Sequence, residues 1–446
     1  MRIRQDRRIV PILATKASTA PTQLLERPRH PLDDGRSHER LSLWLAGTQQ
    51  MLSLPVAASP YLDELLQFQP VDEVRKIFGD TFVRYVAEAK AFEVKADRIR
   101  LSPGRYLVQH EDGLGHRLSR PHEILLELTS RCNFSCPYCC LGELPTSDSK
   151  YDMPMELFTR IFDELEENPV FRLIVTGGEP LLWQQRYGAL FPRLERIRAL
   201  GTHTTLFSNA VLLDRSLDEV AACFDKVVIS LDGVTPATFA ALSGRAGREL
   251  ERVLKATESL SGRTHTQINT VANQLNAAEL PQIVERAAAA SIDIVNISRQ
   301  FSLGRAANEC ANNDLSDEAW RQVAAELQEH ASTRGWTGIN IDKKQRLAES
   351  FPFGPCKVGR AYMVINHDGT VSPCIGYKSD KSASLRDTSI AAAWNAQGWA
   401  TYRDQDVQCP VPSQQKVIVD FRPATQPRRQ HGHSSEDDES CSQAAR

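Results

Sequence analysis

Glu123-Ile124-Leu125-Leu126-Glu127-Leu128-Thr129-Ser130-Arg131-Cys132-Asn133-Phe134-Ser135-Cys136-Pro137-Tyr138-Cys139-Cys140 is the stretch on which the reading of this chain turns. A short apolar run, the pattern of a buried strand, opens directly into a Cys-x3-Cys-x2-Cys loop. Three thiolates on one short loop can hold three irons of a four-iron, four-sulfur (4Fe-4S) cluster and leave the fourth iron open for chemistry. Structural zinc is the lesser alternative. It needs a fourth ligand, yet Cys140 directly follows Cys139, adjacent cysteines rarely point at one ion, and no His lies in the loop.

Outward from this loop, short apolar runs alternate with amphipathic stretches, as in a mostly parallel sheet covered by helices. The pattern predicts strands at Ile124 to Leu128, Phe171 to Val175, Thr204 to Phe207, Lys226 to Leu231, Thr266 to Val271 and Ile292 to Ile297. Helices fit between them, for example Pro154 to Glu166 and Leu280 to Ala290. The fold class is therefore α/β, a partial (β/α)6 barrel over residues 118–313 with its site at the C-terminal strand ends.

The cysteine loop resembles that of radical S-adenosylmethionine (SAM) enzymes, and further motifs follow in that family's order. Gly177-Gly178-Glu179-Pro180 ends the second strand, Ser208-Asn209 the third, and Ser230-Leu231-Asp232-Gly233 the fourth. The resemblance implies that Cys132, Cys136 and Cys139 ligate a 4Fe-4S cluster. It also implies that SAM is bound by Tyr138 beside the adenine, by Gly177, Gly178, Glu179 and Pro180 at the methionyl amine, and by Asn209, Ser230 and Asp232 at the ribose and carboxylate. Read singly, these strand-end residues also suit turns that cap the next helix. The implied chemistry is cleavage of SAM to a 5′-deoxyadenosyl radical that abstracts hydrogen from a substrate carbon. Asn269, Arg299 and the Gly304-Arg305 pair lie where the later strands end, and a plain surface or core role suits any one of them at least as well.

Two flanking regions complete the division. Residues 34–112 read as a hairpin followed by three short helices carrying Leu62, Val74 and Phe82, a winged-helix-like module. It is similar to the module with which peptide-modifying enzymes capture the leader of a ribosomal precursor peptide. Residues 314–412 resemble a SPASM or twitch extension: Cys356 and Cys374 bracket the Asp368-Gly369 turn, and Cys409 follows. Pro412 stands where a further cysteine is expected. The retained positions fit one auxiliary iron-sulfur cluster on Cys356, Cys374 and Cys409 with a non-cysteine fourth site, a cluster recruiting Cys441, or none. Residues 1–33 and 413–446 read as tails, the latter disordered.

Composition narrows the partners. Against 56 Asp and Glu the chain has 53 Lys and Arg, a net charge of −3, so nucleic acid and anionic membrane surfaces are not expected. No apolar run is long enough to span a membrane and no signal peptide is recognised, so the expected location is cytoplasmic. Ten cysteines in such a chain read as metal ligands and core residues, not disulfides. The sequence thus points to a radical SAM enzyme acting on a precursor peptide, with flavodoxin or ferredoxin as electron donor. Its rivals are the same chemistry on a sulfatase or small metabolite, and a non-catalytic iron-sulfur carrier.

Overall fold

The computed structural model describes residues 40–45, 50–88, 90–102, 104, 106–112, 117–118, 120–140, 148–300, 304–334, 336, 340–341, 359–377, 383–399, 402 and 416–421. Six parallel strands lie side by side in chain order: Glu123–Glu127, Arg172–Thr176, His203–Ser208, Lys226–Ser230, His265–Ala272 and Ile294–Arg299. They are the six strands the apolar runs predict, each displaced by one or two residues at its ends. Alternate side chains, such as Leu173, Val175, Val227, Ile229, Val295 and Ile297, face a layer of helices and join one apolar core. Helix Met155–Glu167 shows why those segments are helical: Leu157, Phe158, Ile161, Phe162 and Leu165 recur at helical spacing and are all buried.

The C-terminal region adds strands to both edges of this sheet. Tyr362–Ile365 runs parallel to Glu123–Glu127, and Thr370–Ser372 returns antiparallel around the Asp368-Gly369 turn, where Gly369 takes φ 86°. At the other edge Lys416–Asp420 pairs antiparallel with Ile294–Arg299. This corrects the expectation of a disordered tail from residue 413: a run of alternating Val and Ile finds a long-range partner that no local pattern announces. Helix Ile390–Trp394 ties the same region to the barrel, since Trp394 Nε1 donates to the Leu118 carbonyl at 2.7 Å and Glu164 accepts from the Ile390 N–H at 2.8 Å.

The N-terminal module has the expected hairpin, Arg40–Leu45 with Gln50–Pro55. Helix Ser59–Glu64 follows, and then Val71–Glu88, broken at Gly79 (φ 78°) into two helical pieces. Further strands complete it: the Phe92–Lys95 and Arg98–Leu101 hairpin with short Gln69–Pro70 beside it, and Tyr106–Asp112, which pairs with Arg40–Leu45 and with short Arg117–Leu118. Its own core gathers Leu41, Leu43, Leu62, Val74, Phe82 and Val86. The module docks at the N-terminal strand ends, where Trp44 stacks on Phe171 at 5.8 Å and Arg172 lies over the Trp44 ring at 5.6 Å. The cysteine loop occupies the opposite end. Among the described residues no helix is long and apolar enough to cross a membrane.

Candidate active site

The cysteine loop leaves the first barrel strand and is held on every side by the strand ends around it. The Gly178 N–H donates to the Thr129 carbonyl at 2.7 Å and the Glu179 N–H to the Arg131 carbonyl at 2.8 Å. This backbone pairing explains the two glycines, because a Cβ on Gly177 would stand 2.2 Å from the Thr129 carbonyl oxygen and one on Gly178 2.2 Å from that of Arg131. Beneath the loop, Arg131 makes a two-pronged ion pair with Asp152 at 2.7 and 2.8 Å, and the Thr129 hydroxyl donates to the same carboxylate at 2.6 Å. Both charged side chains are withdrawn from solvent, at 9% and 0% exposure.

From the third strand, Asn209 Nδ2 donates to Asn133 Oδ1 at 2.7 Å and lies 3.8 Å from Cys132 Sγ. From the fourth, Asp232 accepts from the Tyr138 hydroxyl and, at 2.6 Å, from the Val271 N–H. The segment after the sixth strand closes the ring. The Arg305 N–H donates to the Cys139 carbonyl at 3.0 Å. Its Nη1 reaches the Cys136 carbonyl at 3.2 Å and the Ser135 hydroxyl at 3.3 Å. Gly304 (φ 59°) lets this segment approach, since a Cβ there would lie 2.4 Å from the Cys140 carbonyl oxygen.

The structure thus brings Cys132, Cys136, Cys139, Tyr138, Gly177, Gly178, Glu179, Pro180, Asn209 and Asp232 together at one mouth, with half-buried Ser230 at the end of the fourth strand. Several of them also carry duties within the chain. Fully buried Glu179 accepts from the Leu181 N–H at 3.0 Å, the Asn209 N–H at 2.9 Å and the Ser208 hydroxyl at 3.1 Å, so it caps the helix that Pro180 opens and fastens the second strand end to the third. Burial raises its carboxyl to about 7 against the pull of those bonds. Tyr138 is engaged with Asp232, whose carboxyl burial raises to about 6. Arg131, Asp152 and Asn133 have no assigned role in the sequence pattern, and Ser208 and Arg305 are named there without a specific function; all five anchor the loop or its neighbours.

The thiols fit a bound cluster. Burial pushes Cys132 up to about 12, helped by charge on Glu179 and Cys139, and Cys136 well above its usual value, helped by charge on Asp232, Cys132 and Cys139. Free thiolates are therefore unfavourable here unless a metal cluster takes up their charge. Among the described residues no three His, Cys, Asp or Glu side chains converge to hold a single metal ion, and a four-iron cube, whose ligated irons stand apart, does not require that they do. In the C-terminal region Cys374 is half-buried and accepts from the Gly376 N–H at 3.2 Å, whereas Cys356 and Cys409 lie outside the described residues. Cys223 is a core residue, and Cys310 is buried at 3% exposure.

Residues 126–287 match the radical SAM superfamily, and residues 356–414 match the SPASM iron-sulfur cluster-binding domain. The chain carries a radical SAM domain. As a radical SAM enzyme it takes a 4Fe-4S cluster and SAM, and its SPASM domain implies auxiliary iron-sulfur clusters. The PqqA peptide cyclase of Rhizobium meliloti strain 1021 is 23% identical over 302 residues, covering 65% of this chain and 78% of the relative. The GTP 3′,8-cyclase of Brucella ovis is 31% identical, but over 177 residues, 39% of this chain and 51% of the relative. Streptococcus suis SuiB, solved bound to its precursor peptide SuiA, shares the fold with a TM-score of 0.58 at 16% identity, covering 83% of this chain and 91% of SuiB.

Proposed function

We propose that this radical SAM enzyme modifies a ribosomally made precursor peptide. In this reading Cys132, Cys136 and Cys139 hold the catalytic cluster, and Cys356, Cys374 and Cys409 hold an auxiliary one. When bound, the catalytic cluster supplies the electron that splits SAM into methionine and a 5′-deoxyadenosyl radical, which takes hydrogen from a peptide carbon. The chain's own work is to orient and to exclude water. Asn209, Ser230 and Asp232 would face the nucleoside and the Gly177-Gly178 backbone would approach the methionyl end, while Tyr138, Asn209 and Arg305 keep the cysteine loop in place.

One observation carries the choice of a peptide over a nucleotide: the likeness to PqqA peptide cyclase runs through 78% of that relative, whereas the likeness to GTP 3′,8-cyclase stops at 51%. The winged-helix-like module supports a leader-binding role from the N-terminal end of the barrel. We place the reaction in the cytoplasm, where thiols stay reduced and a flavodoxin or ferredoxin can deliver the electron. The test is anaerobic reconstitution with iron, sulfide, reductant, SAM and a synthetic peptide encoded beside this gene. The expected result is 5′-deoxyadenosine together with a mass change in the peptide. Nucleoside formation with an unaltered peptide, and with GTP consumed instead, would overturn the reading.

A further inference from the structure

The face of the barrel sheet that turns away from the helices is mixed in character. On the first four strands it carries Leu125, Ile174, Phe207 and Val228 interspersed with Glu127, Thr176, Thr205 and Ser230, and on the last two Gln267, Asn269, Asn296 and Ser298 lie together beside Val271 and Ile294. These four polar residues are half-exposed, and their chain neighbours Thr266, Ile268, Thr270, Val295 and Ile297 are buried against the helix side. They form one hydrogen-bonded strip. Lys226 Nζ donates to Gln267 Oε1 at 2.5 Å, Gln267 Nε2 to Asn269 Oδ1 at 2.5 Å, and Asn296 Nδ2 to Asn269 Oδ1 at 3.2 Å and Ser298 Oγ at 3.3 Å. Asn269 and Asn296 are direct partners in the strand register.

A polar wall inside a barrel loses its water when a ligand covers it, so the ligand must return the hydrogen bonds. The strip indicates which ligand can. Its members are neutral and combine donors with acceptors, which suits peptide groups better than phosphate or carboxylate. The Lys and Arg side chains that the six strands place on this face, Lys226 and Arg172, sit at its foot and are bonded to Gln267 and to Glu123. The spacing agrees as well. Gln267 and Asn269, like Asn296 and Ser298, are two residues apart on a strand, roughly 6.6–6.8 Å, the distance at which an extended peptide repeats its same-side backbone groups. Within the strip the Asn269 Nδ2 donor and the Asn296 Oδ1 acceptor are not used by the internal bonds, and together they match one peptide N–H and C=O.

We infer that Gln267, Asn269, Asn296 and Ser298 form a backbone-reading strip that holds the core segment of the precursor peptide extended along the fifth and sixth strands. This rests on the peptide-modifying function and adds how the peptide is held: by its main chain, with side chains left free to meet the rest of the barrel interior. The probe is the synthetic precursor peptide methylated on one backbone nitrogen at a time, which deletes a donor without touching the enzyme's fold. The readout is kcat/KM for the peptide mass change. Methylation at alternating positions of one core segment should lower it about tenfold, the weight of one or two hydrogen bonds. In Asn296→Leu, whose far-UV circular dichroism should match wild type, that alternation should flatten at the position facing residue 296. If wild type modifies the peptide but tolerates methylation at every core position, or if Asn296→Leu leaves the alternation intact, the strip is wrong while the function stands. If wild type leaves the peptide unmodified, the function itself falls.

Discussion

Replacing Asp152 with Ala is the sharpest perturbation of the loop's foundation. In the native protein its carboxylate takes three short hydrogen bonds, two from Arg131 at 2.7 and 2.8 Å and one from Thr129 at 2.6 Å, with no exposure of its own. Removing it strands the Arg131 guanidinium in a site that offers little solvent, and breaking such a buried pair from one side costs about 3–5 kcal/mol. Since Arg131 directly precedes Cys132, and its carbonyl holds the Glu179 N–H at 2.8 Å, the loss falls on the cysteine loop as well as on global stability. Urea denaturation of the apoprotein should show the full cost, and iron counting after anaerobic reconstitution should show poor retention of the catalytic cluster. Arg131→Met combined with Asp152→Leu should recover most of the stability, because an apolar pair avoids the stranded charge. An Asp152→Ala variant within about 1 kcal/mol of wild type and with full iron would refute the reasoning, since that is the range of an exposed ion pair.

Further outcomes follow from other contacts. Gly304→Ala places a Cβ 2.4 Å from the Cys140 carbonyl oxygen at φ 59°, so iron content should drop while the melting temperature of the barrel falls only slightly. For Glu279, burial works to raise the carboxyl, but hydrogen bonds from Thr238, Val234 and Thr235 outweigh it and hold the group below its ordinary value. A depressed carboxylate stabilises above its unfolded pKa of about 4.3 and loses that contribution as pH falls through the folded value. The stability gap between wild type and Glu279→Gln should therefore narrow below about pH 4. Cys374→Ala should lower total iron by one cluster's worth with nucleoside cleavage still measurable, and equal iron in variant and wild type would remove the auxiliary site.

The barrel was legible because each strand is a compact apolar run and each helix between them repeats its apolar residues at the right spacing. The mouth was legible in its ligands and less so in its supports. Asp152 is 21 residues from Arg131, and Arg305 is 170 residues from Ser135, so their pairing is a product of the fold and leaves no local signature. Glu179 and Tyr138 were read as facing a ligand, yet much of their bonding is internal, to Ser208, Asn209 and Leu181 in one case and Asp232 in the other. The same reason hid Lys416–Asp420, whose partner strand lies more than a hundred residues earlier. In the module, the Phe92–Lys95 and Arg98–Leu101 hairpin escaped notice because its turn, Ala96-Asp97, has no glycine; Ala96 itself takes φ 53°.

The most direct test of the central claim is electron paramagnetic resonance of the dithionite-reduced, reconstituted Cys356→Ala/Cys374→Ala/Cys409→Ala protein, recorded before and after SAM is added. A reduced 4Fe-4S signal whose g-values shift with SAM is the predicted result, because Cys132, Cys136 and Cys139 leave one iron free to bind it. A signal indifferent to SAM, or a protein that takes up zinc and no iron-sulfur cluster at these cysteines, would contradict the account.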